Sequence, residues 1–164
     1  MRNELRSRNL LVTFILSAVT CGIYNLYLIT TIPSEFRQTN PERKTLGGFV
    51  WLLLAIILAP FMPIILGWWT YTMLNNIRYT AQKIGDIKRA NFISKYRIFT
   101  IISNIVCIVA LLGGVMLTFF TTEIPVFVSL LLSLALLITG INFYLVIYQE
   151  SKLYKTMLMM NTTC

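Results

Sequence analysis

The feature that most constrains this chain is a set of four long apolar runs with no Lys, Arg, Asp or Glu in their interiors. They cover residues 10–32, 49–71, 98–120 and 124–148. A helix needs roughly 20 apolar residues to cross about 30 Å of hydrocarbon. One basic or acidic residue at its centre costs about 2.5–3.5 kcal/mol of insertion energy. The rest of the composition agrees: apolar residues make up 57% of the 164 and charged residues only 12%, against about 25% charged in a soluble domain. The expectation is an all-α, polytopic transmembrane helical bundle of four membrane segments, in a single domain.

The charges lie between the runs. Fourteen Lys and Arg face six acids, a net charge of +8 without histidine. Three basic residues precede the first run, three lie in 33–48, six in 72–97 and two after the last run, with none in 121–123. The positive-inside rule then favours four straight spans in a cell membrane with both termini cytoplasmic, which leaves only the three basic residues of the 33–48 loop outside. The aromatic residues fit that picture, with Trp51 near one interface and Trp68, Trp69, Tyr71, Tyr96, Tyr144 and Tyr148 near the other.

An internal echo argues for a second arrangement. "GIYNLYLITTIPSEFR", "GWWTYTMLNNIRYTAQK" and "GINFYLVIYQESKLYK" each run from glycine through aromatics to a polar, basic end. If all three end on the cytoplasmic side, the first run must fold back near Cys21-Gly22, and the second must form a hairpin kinked at Pro60 and Pro63. Two such re-entrant hairpins would bring every basic residue inside. A cleaved lipoprotein signal is disfavoured: Thr20 stands where a small residue is needed before Cys21, and the chain continues apolar.

Residues Thr20, Gly22, Ile23, Tyr24 and Tyr27 in "VTCGIYNLYLI", with "GWWTYTMLNNI" and "YLVIYQESKLYK" later, resemble a family of bacterial membrane proteins catalogued as domain of unknown function 4234. The family commonly has Leu at the position of Cys21 and Trp at that of Leu28, and ends in a Gln-x-x-x-Asn pattern that this chain lacks. The resemblance implies an integral membrane protein of a few helices and brings no activity with it.

Catalytic chemistry finds little support. Without histidine there is no imidazole base and no His metal ligand. The acids Glu4, Glu35, Glu42, Asp86, Glu123 and Glu150 are scattered, with no two at helical spacing. Cys21, Cys107 and Cys164 form no ligand pattern. The chain reads as non-enzymatic, with no catalytic residue, metal or cofactor. The runs hold no ionisable group of the kind that ion pathways use. Their most costly polar residues, Asn104 and Asn142, are expected to pair between the third and fourth segments. Small residues four apart (Ala18 and Gly22, Ala55 and Ala59, Ala110 and Gly114, Ser129 and Ser133) offer one close-packing face in each run.

Residues 74–97 form the most distinctive polar stretch. Leu74, Ile77, Ala81 and Ile84 recur at helical spacing among Arg78, Lys83, Lys88, Arg89, Lys95 and Arg97. This predicts a short helix along the inner leaflet, interrupted at Gly85, that binds anionic lipid or a protein partner. Nucleic acid is not expected, since no binding module is present. The function expected is that of an accessory or scaffold subunit with a membrane-protein partner. The alternative is a homo-oligomeric small transporter or channel.

Overall fold

The computed structural model describes residues 7–20, 22–43, 45–58, 61–120 and 125–162. Among them it has six helices and no strand: α1 (Leu10–Val19), α2 (Ile23–Thr39), α3 (Gly48–Ile57), α4 (Met62–Lys83), α5 (Ile87–Phe120) and α6 (Pro125–Thr162). The chain is all-α, as the apolar runs require. Two of those runs, however, are not single helices.

The first run breaks at Gly22, whose φ of 88° lies in the left-handed region that side-chain-bearing residues avoid. Thr20 closes α1, and its hydroxyl accepts the Tyr24 amide at 3.1 Å. The Gly22 amide reaches back to the Ser17 carbonyl at 2.8 Å, so the last turn of α1 is satisfied before the chain turns. α2 then runs back alongside α1. Ser17 donates to the Asn25 side chain at 2.6 Å near the turn, and Arg8 meets Glu35 at 2.6 Å at the far end. Residues 10–32 thus form most of a hairpin.

The second run reverses as well. The Phe61 amide bonds the Leu58 carbonyl at 2.8 Å, and α4 begins with Pro63 in its first turn. A proline there interrupts nothing, because that amide has no intrahelical acceptor. Pro63 therefore starts a helix where a kink was expected; Pro60 lies outside the described residues. Antiparallel pairing of α3 with α4 puts the Trp51 and Trp68 rings 5.2 Å apart. These two were expected at opposite interfaces, and Trp51 and Trp69 are fully buried. The chain preceding α3 continues the pairing: Arg43 donates to the Asn75 carbonyl and Asn40 to Thr80.

With ten residues each, α1 and α3 are about 15 Å long, half of what a bilayer core requires. α5 and α6, with 34 and 38 residues, exceed it. Among the described residues, only Ile87–Gly114 and Ser133–Met160 are long and apolar enough to cross a membrane. Four straight spans are therefore not confirmed.

The three echoed segments are α2, α4 and the second half of α6. They run in the same direction and share the core. Leu28, Ile32 and Phe36 pack with Trp69, Met73 and Ile77 and with Phe143, Ile147 and Leu153. The Trp69 indole donates to the Ile29 carbonyl at 3.2 Å and its ring lies 5.1 Å from Phe143. α5 closes against α4 where Gly67 leaves room for the Asn104 amide; a Cβ there would overlap it. Gly67→Val should therefore force α4 from α5 and cost about 1–3 kcal/mol. A lowered melting temperature in detergent would record this, and an unchanged one would contradict the packing.

Candidate functional site

The echo has a consequence for charge. Because the echoed parts of α2, α4 and α6 run in the same direction, the described basic residues gather at one end of the bundle. The 74–97 stretch is part of that end, but it is not one helix lying on a surface. It is the last turns of α4, a turn at Gly85 (φ 78°) and the start of α5. The Asp86 amide returns to the Ala81 carbonyl and the Gly85 amide to Gln82, a left-handed helix stop. Leu74, Ile77 and Ala81, the expected lipid-facing side, are fully buried in the core. The apolar periodicity was real, but its partner is the rest of the bundle.

The six predicted basic residues split into two groups. Lys88 and Lys95 are exposed, and Arg89 bonds Asp86 at 3.3 Å and Thr156 at 3.2 Å, towards α6. Arg78, Lys83 and Arg97 lie on the other side with residues 40–43. Lys83 bonds Glu42 at 2.7 Å, and the Tyr79 hydroxyl donates to the same carboxylate oxygen. The Lys83 and Tyr79 hydrogen bonds hold the Glu42 carboxyl below its ordinary range, and the Lys83 ammonium is raised in turn. The pair is exposed and open to salt screening.

Arg97 donates to the Tyr71 hydroxyl at 2.6 Å, with its guanidinium 4.9 Å from that ring. Arg43 lies 5.4 Å from the Tyr79 ring. A cavity of about 420 Å³ opens there, lined by Glu42, Arg43, Asn75, Arg78, Tyr79 and Gln82. A second cavity of about 260 Å³ lies at the hairpin turns, between Gly22, Ile29, Met62, Leu66, Gly140 and Phe143.

The basic end, opposite the hairpin turns, also holds a buried ionic cluster that the spacing of the acids did not reveal. Arg8 donates to Glu35 at 2.6 Å and to Glu150 at 2.7 Å, with side-chain exposures of 8%, 7% and 0% for the three residues. Burial works against the Arg8 charge, but the carboxylates of Glu150 and Glu35 outweigh it and raise its pKa above the ordinary value. The cluster ties the segment before α1 to α2 and α6. Glu35 and Glu150 each fall near the end of an echoed segment, and that was the available signal.

The motif residues build the first turn. Thr20 caps, Gly22 turns, Tyr24 stacks on Tyr27 with 5.7 Å between ring centres, and Ile23 is exposed. Asn104 and Asn142 do not pair. Asn142 accepts from the Tyr96 hydroxyl at 2.6 Å and donates to Ser103 at 3.2 Å, while Asn104 packs on Gly67.

The chain belongs to the family described as Domain of unknown function (DUF4234), which matches residues 8–155. No curated protein and no solved structure matches it.

Removing one member of a buried ion cluster strands the others away from water. Arg8→Ala should therefore cost about 3–5 kcal/mol. Thermal unfolding in detergent measures this, and the triple replacement Arg8→Met, Glu35→Gln, Glu150→Gln should recover most of the loss. An Arg8→Ala protein as stable as the parent would contradict the cluster's buried geometry.

Proposed function

We infer that this is a small, non-enzymatic, multi-pass protein of the cell membrane, acting as an accessory or scaffold subunit for a membrane partner. The observation that carries the reading is the separation of charge from apolar surface. The described Lys and Arg residues occupy one end, while Ile98, Ile102 and Val109 on α5 and Leu130, Leu137 and Ile141 on α6 are each more than half exposed. A soluble monomer rarely exposes an apolar patch beyond about 300–600 Å². In this reading α5 and α6 cross the bilayer, and the two hairpins enter from the cytoplasmic side to about half its depth. Both termini and the basic end then lie in the cytoplasm, where anionic lipid supplies the counter-charge.

The partner-binding role rests on the part of α6 beyond the hairpins. There Ser129 and Ser133 are exposed, and their hydroxyls turn back to carbonyls of their own helix. This leaves a small, smooth strip on which another membrane helix can pack closely. In the bundle interior Tyr96, Asn142 and Ser103 bond one another, which favours packing over a substrate path. Extraction of a tagged copy in mild detergent tests the role. A different membrane protein recovered at fixed ratio is the expected result, lost on Ser129→Leu with Ser133→Leu. Recovery of self-associated copies alone, with ion flux in vesicles, would favour an oligomeric pore instead.

A further inference from the structure

The cavity beside residues 40–43 holds more positive charge than its neighbours neutralise. Arg43 and Arg78 line it. Burial lowers the pKa of Arg43, and the nearby charges of Arg97 and Arg78 lower it further. The one carboxylate in the wall, Glu42, is already engaged by Lys83 and by the Tyr79 hydroxyl. Arg97 is not part of the wall, but its charge lies close enough to act on Arg43. The remaining wall groups, Asn75 and Gln82, carry side-chain amides that can donate.

The surface below the cavity bears on the kind of anion that fits it. Trp68, Asn75 and Gln82 recur every seven residues along one face of α4. Trp68 is half exposed and lies towards the hairpin turn, about 10 Å along the helix from Asn75. An apolar chain resting on Trp68 would bring an attached phosphate up to the arginines.

We propose that this cavity is a binding site for the phosphate headgroup of an anionic phospholipid, held by Arg43 and Arg78 with Asn75 and Gln82 donating to its oxygens. The proposal rests on the membrane reading above. It adds a defined site, centred on the 40–43 loop, to a basic end that would otherwise attract lipid only diffusely.

Trp68 provides the test. The full chain is reconstituted in vesicles of phosphatidylcholine and phosphatidylglycerol, with brominated chains placed on one lipid or on the other at constant composition. The site predicts stronger tryptophan quenching when the label is on phosphatidylglycerol. Each of Arg43→Gln and Arg78→Gln should lower that preference about fivefold, the effect of about 1 kcal/mol per basic group. Gln82→Glu, which adds a carboxylate to the cavity, should also lower it. Lys88→Gln with Lys95→Gln should preserve it. Persisting quenching by labelled phosphatidylcholine, equal to or above the parent's, shows that a variant is still inserted and folded.

Equal quenching by both labels in the parent would overturn the site, as would a preference that depends on Lys88 and Lys95 instead. Loss of the preference in millimolar inorganic phosphate would assign the cavity to free phosphate and overturn the lipid. Absence of quenching by either label would overturn the membrane reading itself.

Discussion

One guanidinium holds together three parts of the chain that are far apart in sequence. Arg8 precedes α1, Glu35 sits near the end of α2 and Glu150 lies late in α6, yet both carboxylates are within hydrogen-bond distance of the same side chain. Burying such groups is expensive, and only their mutual attraction offsets the lost hydration. The cluster therefore forms only if α1 and α2 are antiparallel and α6 is in register with both. The second hairpin is fastened in the same way and at the same end, where Arg43 meets Asn75 and Asn40 meets Thr80. Polar clamps close the open ends of both hairpins, while the turns sit among apolar side chains.

Everything else about the distribution of charge follows from that arrangement. A chain that enters an apolar layer and returns has all its polar connections on one side. In the proposed membrane arrangement α1 and α3 can then be short, since neither has to reach the opposite surface. Among the described residues, α5 and α6 alone have the length and apolarity to cross. The bundle is accordingly thick at the charged end, where six helices meet, and reduced to two helices beyond the hairpin turns.

The all-α class, the apolar runs and the echo of three similar segments were legible in the sequence, because each depends on local pattern. The common direction of those segments was legible only as the consequence of a second, less favoured arrangement. The reversals were harder to read. Glycine occurs within membrane helices, so Gly22 alone does not distinguish a turn from a straight helix; its left-handed backbone does. Pro63 signals a disturbed helix, but only the pairing of Trp51 with Trp68 shows that the chain turns around. The Arg8 cluster and the Asn142 network join residues 27 to 142 positions apart, and no sequence window contains such contacts. The 74–97 stretch was misread because an apolar helical face looks the same whether lipid or protein covers it.

The most direct test of the account is the side of the membrane from which three single cysteines react, each in a background lacking the native thiols. Pro41→Cys samples the loop before α3, Lys88→Cys the start of α5, and Glu123→Cys the connection between α5 and α6. With a membrane-impermeant maleimide, two hairpins and two spans predict that Pro41→Cys and Lys88→Cys react from the same face and Glu123→Cys from the other. Reaction of Pro41→Cys from the same face as Glu123→Cys would mean that residues 10–32 cross the bilayer, and would contradict the account.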